Sequence, residues 1–106
     1  MTATEFINSL PERANTDALA DKETIFHFDV SGEGGGQYTV KVKDGKINVT
    51  PGVEDEARCT VKTTNDNFMA VINGSLNPLM AIMTGKLKIS NQGELLKYAK
   101  IFGLLK

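Results

Sequence analysis

Apolar side chains recur at helical spacing in the first twenty residues. The motif Thr2-x-x-Glu5 matches a capping box, in which a hydroxyl and a carboxylate satisfy free N–H groups at the start of a helix. A second helix start is indicated by Ser9-x-x-Glu12 with Pro11 between them, because proline suits the first turn of a helix. The sequence therefore predicts a kinked or broken helix over residues 3–20.

The middle of the chain changes to an alternation of apolar and polar residues, which is typical of strands with one buried face. In the first such run, Phe26, Phe28 and Val30 share one face. The dipeptide Asp44-Gly45 separates two of the runs and is a strong signal for a two-residue hairpin turn. Four strands are predicted, at residues 24–30, 37–43, 46–50 and 57–64.

Helical spacing returns after the fourth strand. We predict a helix over 66–73, with Asn65 as its N-cap, and a second short helix over 77–84 that ends at Gly85. A fifth strand and a closing helix are predicted at residues 86–90 and 92–105. This order of elements predicts the α+β class, with a five-stranded, mostly antiparallel sheet and helices packed on one face.

Apolar residues are in excess in the last forty residues. Eleven of the sixteen residues from Phe68 to Met83 are apolar, although a helix that covers one sheet face needs an apolar stripe only about 100° wide. Val71 and Ile82 are left over once such stripes are filled. Three of the four Met residues belong to this segment. Methionine suits a pocket that accepts varied ligands, but it is also common as core filler.

The closing helix carries two apolar stripes rather than one. The first stripe comprises Leu95, Leu96, Ala99 and Phe102, and the second comprises Tyr98, Ile101 and Leu105. Two stripes on one helix indicate two apolar partners, of which the sheet is one. The other is a second helix, a bound apolar ligand or a subunit interface, and the sequence leaves these three open.

Composition narrows the possible functions. The chain has 106 residues, of which 41% are hydrophobic and 24% are charged, which fits one globular domain over residues 1–106. A balance of 12 basic and 13 acidic residues gives no positive footprint for duplex nucleic acid. A single Cys59 and a single His27 exclude an internal disulfide and a Cys/His zinc cluster. No nucleophile with a positioned base can be identified, so we expect no catalytic residue, metal or cofactor, and no enzyme.

Two further patterns have both an ordinary and a functional interpretation. The glycine-rich run from Gly32 to Gly36 precedes a strand, whereas a phosphate-binding loop precedes a helix. We therefore predict a flexible hairpin loop here. Lysines recur on the polar faces of the predicted strands, at Lys41, Lys43, Lys62, Lys86 and Lys88. They form either a solvated outer face of the sheet or a surface attracted to anionic lipid headgroups.

The sequence shows no targeting or membrane-spanning segment. The first ten residues include Glu5, contain no basic residue and lack a long apolar run, unlike a signal peptide. The longest uncharged stretch, residues 67–85, is interrupted by Asn73-Gly74-Ser75, so no bilayer helix is predicted. We therefore expect a cytoplasmic protein.

Two segments of the chain resemble the sterol carrier protein domain family, also called nonspecific lipid-transfer proteins. One is the run from Phe26 through the glycines to Gly36, which leads into a strand. The more specific segment runs from Asn73 to Ile89 and reads Asn-Gly-Ser-Leu-Asn-Pro, then apolar residues, then Gly-Lys-Leu-Lys-Ile. The order of elements agrees over essentially the whole chain.

Two departures from the family pattern refine the resemblance. Tyr38 stands where the family often has tryptophan, which is a mild change. The longer C-terminal tail of the eukaryotic carriers does not follow Lys106. The resemblance therefore indicates a compact, prokaryotic-type member.

The resemblance implies a hydrophobic tunnel between the sheet and the helices. It also implies non-enzymatic binding of fatty acids, fatty acyl-CoA, sterols and phospholipids, and transfer of these lipids between membranes. The residues expected to contact the lipid are Phe68, Ile72, Leu76, Met80, Met83, Leu95, Ala99 and Phe102. We expect a lipid or fatty acyl ligand, transient membrane contact, and a monomer or weak homodimer. The alternative is an interaction or dimerisation module, or an accessory domain of a lipid-metabolising enzyme.

Overall fold

The computed structural model describes residues 1–13 and 16–102 and contains the elements that the sequence predicts, in the predicted order. The helices are α1 (Ala3–Asn8), α2 (Leu10–Arg13), α3 (Asn65–Ile72), α4 (Pro78–Met83) and α5 (Gln92–Phe102), with a short 3-10 helix at Thr16–Leu19. The strands are β1 (Thr24–Ser31), β2 (Gly36–Lys43), β3 (Lys46–Pro51), β4 (Cys59–Thr64) and β5 (Leu87–Ile89).

The five strands form one sheet in the order β3-β2-β1-β4-β5. Three neighbouring pairs are antiparallel, and the central pair β1–β4 is parallel. The predicted α+β class and mostly antiparallel sheet are therefore confirmed. The β2–β3 turn is the predicted one, since Asp44 and Gly45 both have positive φ, 54° and 76°, as a tight hairpin turn requires.

The parallel pair exists because the chain crosses the sheet between β3 and β4. Residues 52–58 pass over the sheet face opposite the helices, which we call the outer face. The Thr39 hydroxyl donates to the carbonyl of Gly52 at 2.8 Å and accepts from the N–H of Glu54 at 2.9 Å. The crossing chain also buries His27, whose Nε2 lies 2.7 Å from the Glu54 carbonyl oxygen. The outer face is thus partly covered rather than wholly solvated.

Aromatic rings fill the inner face, where the helices pack. Phe26 on β1 is fully buried, and its ring centroid lies 5.3 Å from that of Phe102 and 5.7 Å from that of Tyr98, both on α5. The Phe68 ring of α3 packs against Phe28 of β1 at 6.2 Å, in an edge-to-face arrangement that aromatic pairs favour. These contacts hold α3 and α5 against the central strand.

The first helix is broken, as predicted. The capping box is present, because Glu5 N–H donates to the Thr2 hydroxyl at 3.2 Å and Thr2 N–H donates to the Glu5 carboxylate at 2.9 Å. The helix stops at Ser9, and α2 follows with Pro11 in its first turn. Residues 14 and 15 of the predicted range 3–20 lie outside the described residues.

The glycine-rich run connects β1 to β2 as a hairpin, as predicted. Gly35 is required for steric reasons, since a Cβ at this position would stand 2.3 Å from the Val30 carbonyl oxygen. The loop also supports α1, whose Thr4 N–H donates to the Gly34 carbonyl at 3.0 Å. It is therefore a structural connection between the hairpin and the first helix.

The predicted boundaries of α3 and β4 differ from the structure. Asn65 is not the N-cap of α3 but its first residue, because Thr64 has the extended backbone of a cap and its hydroxyl accepts from Asn67 N–H at 3.1 Å. The Asn65 side chain instead accepts from Ala3 N–H at 2.8 Å, which joins α3 to α1. Strand β4 starts at Cys59 rather than at residue 57, because residues 57–58 still belong to the crossing loop. The predicted end of the last helix, at Leu105, lies outside the described residues.

Replacement of Phe26 by alanine should destabilise the fold by about 3–5 kcal/mol, because it removes the ring on which α5 packs. Urea unfolding followed by circular dichroism measures this change. The matched control is Val53→Ala at an exposed loop position, for which a change within about 0.5 kcal/mol is expected. A similar loss of unfolding free energy in both variants would show that the Phe26 ring stabilises the fold no more than an exposed side chain does.

The Cys59 thiol should be unreactive in the folded protein. It is fully buried on the inner face of β4, and burial raises its pKa, so the reactive thiolate is disfavoured. Labelling with a thiol reagent at pH 8 should be slow in buffer and fast in denaturant. Rapid labelling of the native protein would contradict the burial.

Candidate functional site

An apolar cleft lies between the β4–β5 half of the sheet and helices α3, α4 and α5. All nine side chains that line it are apolar: Val61, Phe68, Val71, Pro78, Ile82, Leu87, Leu95, Leu96 and Ala99. The cavity is small, with a volume of about 20 Å³. Sheet residues form its floor, and the three helices form its walls.

Helix α3 supplies a fixed wall. Phe68 is 2% exposed and Val71 is 7% exposed. Besides contacting Phe28, the Phe68 ring packs edge-on against Phe6 of α1 at 5.7 Å. The Thr64 cap fixes where the helix begins. The position of Phe68 is therefore set by the start of α3 and by the rings of Phe28 and Phe6.

Helix α5 supplies the second wall and divides its apolar residues between two environments. Leu95 and Ala99 are buried in the cleft, whereas Leu96 lines it and remains 46% exposed. Tyr98 turns the other way, into the aromatic cluster around Phe26. The start of the helix is tied to β1, because the Thr24 hydroxyl donates to the carboxylate of Glu94.

Helix α4 supplies the third wall and is the least embedded. Its only fully buried residue is Ala81, while Pro78 and Ile82 line the cleft. The helix begins at Asn77, whose side-chain oxygen accepts from the N–H groups of Leu79 and Met80 at 2.9 and 3.4 Å. The helix thus has one buried and two half-buried residues, and it contains no aromatic ring of the kind that holds α3 and α5 in place.

The eight residues expected to contact lipid are distributed over several environments. Phe68, Leu95 and Ala99 line the cleft together. Ile72 and Leu76 are half-buried and pack against the core beside it. Met80 and Met83 are on the exposed side of α4, and Phe102 is buried in the aromatic cluster. The structure thus brings three of the eight together in the cleft.

Six lining residues were not in the expected set: Val61, Val71, Pro78, Ile82, Leu87 and Leu96. A sequence signal existed for two of them, because Val71 and Ile82 are the apolar residues that exceed a single helical stripe. Val61 and Leu87 are ordinary inward positions of strands, which carry no separate signal. Leu96 was placed on the correct stripe of α5 but was not named as a contact.

The cleft offers no acid–base chemistry, since none of its lining side chains is titratable. Beside it, burial raises the pKa of the Tyr98 hydroxyl, which favours the neutral phenol. On the outer face, Lys41 lies 2.6 Å from the carboxylate of Asp55 and holds the pKa of that group below its usual value. The cleft itself, with its apolar lining, can exclude water and hold an apolar molecule.

Neither a metal centre nor a membrane-spanning helix is found in residues 1–13 and 16–102. No three of their His, Cys, Asp and Glu side chains are grouped closely enough to hold a metal ion. Within the same ranges, every helix is too short or too polar to cross a bilayer.

Known human proteins are similar to this chain in sequence. Human sterol carrier protein 2 is 39% identical over 77 residues, which are 69% of this chain and 14% of that protein. Human hydroxysteroid dehydrogenase-like protein 2 is 32% identical over 99 residues, which are 92% of this chain and 24% of that protein. The chain thus spans a quarter or less of the length of these relatives.

A solved structure shows the same fold. The solution structure of palmitated SCP2L2 from Aedes aegypti superposes with a TM-score of 0.73 at 20% sequence identity, and the match covers 96% of this chain and 95% of that one. The model of the SCP-2 sterol transfer family matches residues 5–106. The chain therefore belongs to the SCP-2 sterol transfer family.

Proposed function

We propose that residues 1–106 form one lipid-binding domain that holds the apolar part of a lipid between the sheet and helices α3, α4 and α5. Family membership supports lipid binding and transfer in general. The observation that carries the proposal is the cleft, whose nine lining side chains are all apolar. The ligands proposed are fatty acids, fatty acyl-CoA, sterols and phospholipids.

The closed cleft must widen to admit such a ligand. Pockets for small molecules commonly enclose about 300–1,000 Å³, far more than the space present here. Of the three helices, α4 is the one that can move at low cost, since α3 and α5 are held by aromatic packing. The predicted hydrophobic tunnel corresponds, on this proposal, to the cleft with α4 displaced outward.

Hydrophobic burial supplies the binding free energy and leaves specificity broad. Each methylene group transferred from water contributes about 0.8 kcal/mol, and this contribution has no directional requirement. Ala99 and Leu95 contact the ligand in this proposal without any polar partner in the lining. A structural relative is described as palmitated, which supports an acyl chain as one occupant.

Filling the cleft should remove binding without unfolding the protein. Ala99→Leu adds three carbon atoms at a buried lining position, so affinity for a fluorescent fatty acid should fall at least tenfold, because the added volume takes the place of ligand. Fluorescence titration measures the affinity, and thermal unfolding verifies the fold. Ala70→Leu, on α3 but away from the cleft lining, is the matched control and should bind as the wild type does.

Lipids that co-purify with the recombinant protein identify the natural class. Mass spectrometry of an organic extract should detect acyl lipids or sterols at a constant ratio to protein, and less of them with Ala99→Leu. An extract without lipid, together with no binding of any fluorescent fatty acid or acyl-CoA, would refute the proposal.

A second candidate function is that of an accessory domain in a lipid-metabolising enzyme. The observation that favours it is the small share of each relative that the chain covers, one of them being a dehydrogenase-like protein. A carrier should move a fluorescent lipid from donor to acceptor vesicles, whereas an accessory domain should bind the lipid without accelerating its transfer.

Light scattering tests the further alternative, a self-pairing module, since a strict monomer excludes it. The cytoplasmic location stays a prediction.

A further inference from the structure

Helix α4 has apolar residues on all sides and is nevertheless at the surface. All six of its residues, Pro78–Met83, are apolar. Leu79, Met80 and Met83 are 52%, 53% and 80% exposed. At about 100° per residue these three lie within one arc of about 100°, opposite the buried Ala81. A helix that is apolar all round is normally covered, so an apolar phase or surface is needed over this arc.

The charges around α4 indicate what covers it. No acidic residue occurs from Asn67 to Gly93. Lys86 follows the helix, is exposed, and is tied to it because its N–H donates to the Ala81 carbonyl at 2.9 Å. Across the cleft, exposed Lys100 lies one turn from Leu96, on the same face of α5.

The first carboxylate after this segment in sequence, that of Glu94, does not compensate these lysines. The Glu94 side chain is only 10% exposed, and its carboxylate accepts from the Thr24 hydroxyl. Its nearest lysine is Lys97, at 4.0 Å, rather than Lys86 or Lys100. An exposed apolar arc bordered by lysines is the pattern of a segment that lies at an anionic lipid surface.

A second copy of the chain fits this surface less well. A two-fold dimer presents the same patch on both subunits. It would therefore bring Lys86 and Lys100 of each copy toward lysines of the other, with no acidic residue of the patch to pair them. A bilayer containing anionic lipids supplies both an apolar layer and negative charge.

We propose that α4 is a membrane-docking element: Leu79, Met80 and Met83 enter the interface of an anionic bilayer while Lys86 and Lys100 contact its phosphates. The inference rests on the proposed lipid-binding function, because Pro78 and Ile82 of the same helix line the cleft. Docking places the partly exposed Leu96, and with it the mouth of the cleft, against the bilayer. A lipid then passes between bilayer and cleft without crossing water.

The chain contains no tryptophan, so one introduced residue reports docking without background. Met83→Trp should show a blue-shifted emission with phosphatidylcholine–phosphatidylserine vesicles, and quenching when brominated acyl chains are used. Val53→Trp is the matched control, since Val53 is 52% exposed but belongs to the loop that crosses the outer face. Its emission should not change. Equal responses at both positions, or none at position 83, would overturn the proposal.

Substitutions separate the apolar and charged contributions. Leu79→Gln/Met83→Gln should weaken co-sedimentation with the mixed vesicles at least tenfold, since both side chains are exposed and their burial in lipid is lost. Lys86→Gln should weaken it about fivefold and have no effect on pure phosphatidylcholine vesicles. Lys46→Gln, at the opposite edge of the sheet, is the charge control and should change neither.

Binding of a monomeric fluorescent fatty acid without vesicles distinguishes failure of docking from failure of the proposed function. The Leu79→Gln/Met83→Gln protein should keep this binding and its thermal unfolding temperature while losing vesicle affinity. Wild-type protein that binds the fatty acid but no vesicle refutes docking alone. Protein that binds vesicles but no fatty acid refutes the proposed function alone. A wild-type dimer that this variant converts to a monomer assigns the arc to a second copy and also overturns the docking proposal.

Discussion

Edge-to-face packing of aromatic rings against strand β1 is the interaction on which the rest of the structure depends. Phe26 and Phe28 are neighbours on the inner face of this central strand, with ring centroids 6.0 Å apart. Phe26 meets the rings of α5, and Phe28 meets Phe68 of α3. A continuous row of rings therefore runs beneath the sheet and fixes two helices relative to one another. Two walls of the cleft, α3 and α5, are thus positioned by Phe28 and Phe26, which do not line it.

Helix α4 lies outside this row, and its position has a different origin. It is joined to the core by the buried Ala81 and the half-buried Pro78 and Ile82, and to β5 by the short turn after Met83, where Gly85 adopts a φ of 77°. None of these residues carries an aromatic ring, so α4 lacks the packing that fixes α3 and α5. The molecule thus combines a rigid floor and two rigid walls with one weakly held wall. That combination suits a site that must stay closed to water when empty and widen for a large apolar ligand.

The elements were predictable from sequence because periods of two and of 3.6 are properties of the local chain. Asp44-Gly45 specified its hairpin, and the alternation of Phe26 and Phe28 specified the inner face. What the pattern could not supply was which distant groups meet. Thr64 rather than Asn65 caps α3 because the Asn65 amide is engaged by Ala3, sixty-two residues away in sequence.

The same limit applied to the candidate site. Helical spacing groups Ala99 with Phe102 on one stripe of α5, but the aromatic side chain at 102 is long enough to reach Phe26, so the two contact different neighbours. Met80 and Met83 were expected to contact lipid, and the structure shows them on the exposed side of α4. A sequence shows how many apolar residues exceed what one interface needs. Which neighbour those side chains face depends on the crossing angles between helices, which local patterns do not encode.

The parallel β1–β4 pair also makes one half of the sheet costlier to close than the other. The β1–β2–β3 meander closes through short connections, whereas β1 pairs with β4 across more than thirty residues, at a larger entropic cost of loop closure. The half with the larger cost is the one that floors the cleft. A ligand that binds the folded cleft but not the unfolded chain offsets this cost by mass action, so lipid supply and the folded population of this chain are thermodynamically linked.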